Sequence, residues 1–151
     1  MQDSAFIESV KRIRETDDRY DMEAYFFIRE ALSFTMQMLE KPQHGPGRHV
    51  SGRELVEGIR QYALQEFGPM TMKVMEEWGL TGTEDFGRIV FHLVEVGELG
   101  KTSEDKPEDF ADCFDFRDAF EKPFEPRHPL PDAASRTRRR AGASDKKGGS
   151  R

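Results

Sequence analysis

One cysteine, Cys113, among 151 residues leaves nothing for it to bridge to, which excludes an internal disulfide and a disulfide-stapled secreted scaffold. No stretch approaches the roughly 20 apolar residues that a membrane-spanning helix needs. No positively charged start followed by an apolar run opens the chain. These absences lead to the expectation of a reduced, cytoplasmic protein without membrane partners. Phosphate-cradling loops are missing as well: Gly45-Pro46-Gly47 and Gly148-Gly149 have neither the lysine nor the strand and helix such a loop requires. His44, His49, His92 and Cys113 fall at no zinc-binding spacing, and no signature sets His49 or His92 beside Cys113 as a base. No cofactor, metal or catalytic constellation is therefore expected, and the reading leans away from an enzyme.

What the sequence does have is unevenly spread. Residues 127–151 hold eight Lys/Arg against Asp132 and Asp145, a balance of +6, and contain one large apolar residue, Leu130. The remaining 15 basic and 27 acidic residues leave the body at −12. Too little apolar surface lies beyond Pro126 to offset the entropy of ordering it. The division expected is a folded domain over 1–125 and a disordered basic tail over 126–151. Apolar content of 36% is low, but 12 Phe and 7 Met supply the body with a core.

The densest folding signals lie between Ser51 and Gly97. Ser51 with Glu54 forms a capping box, and Val50 with Leu55 a hydrophobic staple, so a helix starts at Gly52. Leu55, Val56, Ile59, Tyr62, Ala63 and Phe67 give it one apolar face. Gly68-Pro69 ends it, a short helix runs from Met70 to Trp78, and Gly79 closes that one. Leu80 plugs the core, Thr81 or Thr83 caps a third helix, and Phe86, Ile89, Val90, Leu93 and Val94 make its inner stripe. Upstream, Asp3 or Ser4 caps a helix to Arg14. Asp21 caps a longer one to about Leu39, apolar around most of its circumference and therefore sandwiched between neighbours. Downstream, Glu98 to Lys101, a polar turn and Phe110 to Phe116 read as a hairpin, with Phe114 and Phe116 on one side and Asp115 on the other. The fold class expected is mainly α: a compact domain of about five helices with a small β-hairpin, winged-helix-like at its centre.

The blocks Arg48-His49-Val50-Ser51-Gly52-Arg53-Glu54-Leu55, Phe67-Gly68-Pro69-Met70, Glu77-Trp78-Gly79 and Asp85-Phe86-Gly87-Arg88-Ile89-Val90-Phe91 resemble those of an uncharacterised family of short bacterial proteins. The resemblance covers about residues 20 to 120. It implies a standalone bacterial domain and transfers no activity, ligand or site.

Three function classes follow. A winged helix would suggest duplex binding, but Glu84 and Asp85 at the third helix's start, with Glu104, Asp105, Glu108 and Asp109 in the wing, oppose a phosphate backbone. Docking onto a protein partner suits the acidic body better, and the edge expected to carry it is formed by Arg48, His49, Arg53, Met72 and Trp78. The alternative is a nucleic-acid or ribosome-associated factor acting through Arg136, Arg138, Arg139, Arg140, Lys146 and Lys147, point charges without interleaved aromatics. A small enzyme would need a pocket gathering His49 or Cys113 with carboxylates.

Overall fold

Two helices of this chain start where a side chain takes a free N–H group, and one stops where a glycine makes a left-handed turn. The computed structural model describes residues 2–40, 50–100 and 106–126. Its helices are α1 (Gln2–Thr16), α2 (Met22–Met38), α3 (Gly52–Phe67), α4 (Thr71–Trp78) and α5 (Thr83–Glu95). Short turns follow at Pro107–Phe110, Arg117–Glu121 and Lys122–Phe124, the middle one π-helical. The Asp21 carboxylate accepts the Glu23 N–H at 2.9 Å at the start of α2. At α3, Ser51 Oγ accepts the Glu54 N–H at 3.1 Å while Glu54 Oε1 accepts the Ser51 N–H at 3.0 Å. Gly79 ends α4 at φ 87°, a conformation a side chain would strain.

α2 is the central rod. It packs against α1, α3, α4 and α5, which is why its sequence is apolar nearly all round. Tyr25, Ile28 and Ala31 of α2 are completely buried, with Phe6 and Val10 of α1, Ile59 and Ala63 of α3, Met75 of α4 and Phe86, Ile89 and Leu93 of α5 around them. Each such aliphatic or aromatic side chain contributes about 1.5–3 kcal/mol through its removal from water. α2 and α3 touch almost backbone to backbone. A Cβ at Gly58 would overlap the side chain of Thr35, whose buried hydroxyl donates back to the Ala31 carbonyl at 2.7 Å. Leu80 enters the core fully buried.

The hairpin is not formed, and the winged-helix reading falls with it: the described residues contain no strand. Alternation over Phe110–Phe116 has another cause. Pro107 starts a 3-10 turn whose Asp109 carboxylate accepts the Lys106 N–H at 3.0 Å. Thr83 Oγ1 then donates to the Phe110 carbonyl at 2.5 Å and accepts the Cys113 N–H at 3.1 Å. The backbone groups a hairpin would pair across are thus bound to the first residue of α5. Phe110 itself fills a notch between two helices, where a Cβ at Gly87 would come within 2.7 Å of its ring and one at Gly52 within 3.2 Å. Phe114, Phe116 and Phe120 stack on one another and on Phe86, with centroids 5.1–6.4 Å apart. Phe114 precedes the π-helical turn, Phe116 is its N-cap residue and Phe120 lies within it, so the rings gather around the start of that turn and not along a pleat.

Two smaller expectations also change. α1 runs from Gln2, ahead of the cap expected at Asp3 or Ser4. The cap of α5 is neither Thr81 nor Thr83: Gly82 is the N-cap residue, and Asp85 supplies the acceptor.

Candidate docking groove

The side of α2 facing α3 and α4 carries a repeated pattern. Glu23 and Glu30 lie two turns apart, with Phe26 and Phe27 between them; on α3, Tyr62 and Glu66 lie one turn apart, next to Phe67 at the helix end. Trp78, the last residue of α4, completes the set, its carbonyl tied to the Asp21 N–H at 3.1 Å. Phe27 is the buried floor. Its ring centroid lies 5.4 Å from Tyr62, 5.7 Å from Phe67 and 5.4 Å from Trp78, and Phe67 meets Trp78 edge to face at 5.6 Å. Above these rings is an open groove of about 250 Å³.

Its rim is anionic. Glu23, Glu30 and Glu66 border the groove, and among the described residues no lysine or arginine lines it. Among the described residues Glu23 and Glu66 have no ion-pair partner, whereas Glu30 lies 3.8 Å from Arg29. The Tyr62 phenol is raised above its ordinary value, first by burial and then by the charges of Glu66 and Glu30. An aromatic floor under unpaired carboxylates favours a ligand with a positive charge on an apolar or planar body, since ring faces and carboxylates both attract cations.

A second group of aromatic and charged side chains, at the α1–α2 corner, is closed upon itself. Asp85 Oδ2 accepts the N–H groups of Thr81 at 2.9 Å and Gly82 at 3.2 Å; Oδ1 accepts from Arg88 at 2.7 Å and from the hydroxyl of buried Tyr20. Burial, then the bond to Asp85, pushes the Tyr20 phenol up to about 12, so it stays protonated and donates. Beside it, the Tyr25 hydroxyl is 2.9 Å from His92 Nδ1, and His92 Nε2 is 3.4 Å from Asp17. Burial lowers the His92 pKa, outweighing Asp17 and Glu95, which act to raise it. A neutral imidazole protonated on Nε2 satisfies both contacts, accepting from Tyr25 and facing the carboxylate. Burial acts to raise the Asp17 carboxyl, but the backbone and side-chain bonds from Arg19 prevail and hold it below its ordinary value. The corner is further fixed by Arg14 Nε, which donates to the Tyr20 carbonyl at 3.0 Å, and by Gly79, where any side chain would strike the Arg19 carbonyl. Every polar group here has an internal partner, as a structural role requires.

The edge expected from sequence is described only in part. Arg48 and His49 lie outside the described residues. Arg53 is exposed on the first turn of α3, well along the helix from Tyr62 and Phe67. Met72 packs half-buried against the core, Met75 is fully buried and Met70 is 55% exposed, so the methionines form no common face. Of the three described residues of that edge, Trp78 lines the groove. Arg136, Arg138, Arg139, Arg140, Lys146 and Lys147 also lie outside the described residues. No group of three or more His, Cys, Asp or Glu that could hold a metal exists among the described residues, and none of their helices is long and apolar enough to cross a membrane. Cys113 Sγ donates to the Asp109 carbonyl at 3.3 Å.

Comparison with family models, with curated proteins and with solved structures finds no match for this chain. The groove therefore rests on its own geometry. Sequence reasoning missed Glu23, Phe26, Glu30 and Glu66, and assigned Phe27, Tyr62 and Phe67 to the core alone. The available signal was the spacing of glutamates around aromatics on α2 and α3, which puts acid and ring on one helix face.

Proposed function

We propose that this protein is a non-enzymatic docking module of the bacterial cytoplasm, in which the groove between α2, α3 and α4 receives a protein segment presenting a cationic side chain. The observation that carries this reading is the open aromatic floor around Phe27, Tyr62, Phe67 and Trp78 beneath Glu23 and Glu66, which have no ion-pair partner among the described residues. Recognition surfaces of this composition derive their affinity from a few large rings in a desolvated centre. The enzyme reading has less support: no histidine or cysteine lines the groove, and His92 and Cys113 are occupied by Tyr25, Asp17 and the Asp109 carbonyl.

The test uses the full chain as bait in native lysate at low and high salt, beside a Phe67→Ala/Trp78→Ala variant whose helical content is first checked. A protein retained at high salt by the wild type is then purified and its binding measured directly. Loss of about tenfold or more in affinity with the double variant is expected. Equal binding by both forms overturns the groove as the docking face. Capture of nucleic acid or ribosomal material alone, lost at high salt, would move the function to the basic tail.

A further inference from the structure

We propose that the groove's occupant in the free protein is the chain's own arginine run, Arg136 to Arg140, so that the docking face is covered in cis until a partner displaces it. The proposal rests on the docking reading above and adds the identity of the segment that competes for the groove.

Chemistry is the first argument. A guanidinium is planar and weakly hydrated, stacks on aromatic faces and pairs with carboxylates through two parallel N–H groups. The groove supplies both kinds of partner. One side of the same surface already takes a guanidinium: Arg29 lies 4.2 Å over Phe6 and 5.3 Å over Phe26, with its Nη2 3.8 Å from Glu30. Phe26 and Glu30 are groove residues, so the arrangement proposed for the arginine run repeats one that the protein makes internally.

Charge and reach are the others. A segment of +6 is joined to a body of −12, and between Asp132 and Asp145 it contains four arginines and no acid. Pro126 is the last described residue, and ten residues lead from it to Arg136 and fourteen to Arg140. Extended, these spans reach roughly 33 and 46 Å. The body's radius of gyration is about 14 Å for its size, a sphere roughly 36 Å across, so these spans cover a large part of its surface. Tethering holds such a segment at a millimolar effective concentration, enough to favour contacts that would be weak between separate molecules. Lys146 and Lys147 bear compact, strongly hydrated charges that gain less from ring faces, which singles out the arginines.

Trp78 is the sole tryptophan, so its emission and its indole N–H resonance report on the groove directly. The experiment compares the full wild-type chain with full chains carrying Arg136→Ala/Arg138→Ala/Arg139→Ala/Arg140→Ala or Lys146→Ala/Lys147→Ala. At low salt the arginine substitutions should shift the indole resonance and the lysine pair should leave it in place; at high salt all three should coincide. A synthetic peptide of residues 127–151, added to the arginine-substituted chain, should restore the wild-type resonance, but not when Glu23, Glu30 and Glu66 are also changed to Gln. An indole resonance that is identical in the wild-type and arginine-substituted chains at low salt overturns the proposal. So does a shift from the lysine pair as large as that from the arginines. If Trp78 does not respond while Phe67→Ala/Trp78→Ala still abolishes partner binding, the tail is not the occupant and the docking face stands. If the partner binds the groove variant unchanged, the docking face itself fails.

Discussion

Two parts of this molecule set carboxylates beside aromatic rings and end in different states. At the α1–α2 corner, Tyr20, Tyr25, Asp17, Asp85, Arg88 and His92 close their hydrogen bonds on one another, and the strongest acceptor, Asp85, is 8% exposed. In the groove, Phe27, Tyr62, Phe67 and Trp78 are joined by ring contacts, but Glu23 and Glu66 face water without a basic partner among the described residues. What separates the two is the basic groups, Arg88 and His92, that close the corner. Burying a charge is tolerable only when its partners are fixed, so a closed network stabilises the fold and resists change. Carboxylates over exposed rings contribute little to folding and are available to a ligand.

The largest effect should come from opening the closed corner. Asp85→Ala removes the acceptor for two N–H groups, the Tyr20 hydroxyl and Arg88 together, leaving a buried phenol and the N-terminus of α5 unsatisfied. A loss of about 3 kcal/mol in urea unfolding is expected, against about 0.5 kcal/mol or less for Glu66→Ala in the groove. Equal losses would break the contrast between the two regions.

A smaller effect distinguishes them by pH. His92 has a native pKa below its ordinary value because burial disfavours its charged form. The unfolded chain therefore takes up this proton first. The contribution is complete above about pH 6.5 and is lost as pH falls from there through the native pKa. Unfolding free energy should decline over that interval, and His92→Gln should remove the part of the decline due to this residue. Asp17, held below its ordinary value, acts in a separate window below that of the histidine, where its stabilisation is lost as its carboxylate is protonated. No corresponding decline near pH 6 is expected from the groove, whose lining contains no histidine. A wild-type curve that is flat across this range would show that His92 is not held neutral by the fold.

Much of the architecture was legible because it is local. The Asp21 cap, the Ser51–Glu54 box and the Gly79 stop need only residues within one turn, and each appears where its spacing puts it. The central position of α2 follows from its nearly unbroken apolar circumference. Features that join distant residues were not legible. Asp85 caps α5 while bonding Tyr20, 65 positions away, and the hairpin gives way to bonds from Thr83 to Phe110 and Cys113, about 30 positions apart. Period-two aromatics at Phe114 and Phe116 read as a strand, and only their packing on Phe86 ahead of the π-helical turn shows otherwise. The groove was hidden for a related reason. On a single helix an apolar stripe that meets the core and one that lines an open cleft look the same, and the difference arises only when α2, α3 and α4 are brought together.

The smallest predicted effect tests whether the groove carboxylates act as a shared field. Tyr62 is raised by burial and, secondarily, by Glu66 and Glu30, because a phenolate forming beside carboxylates is repelled. Glu30→Gln/Glu66→Gln should therefore lower the Tyr62 pKa in a spectrophotometric titration followed beside a Tyr62→Phe control, while leaving it above the ordinary value of about 10 because burial persists. The same change should leave urea stability within about 0.5 kcal/mol per site. A phenol that does not move would mean that the carboxylates point away from the rings, and a cation in the groove would then have only ring faces to hold it. A fall with unchanged stability would assign those charges to recognition, since they would be felt at the groove floor without supporting the fold.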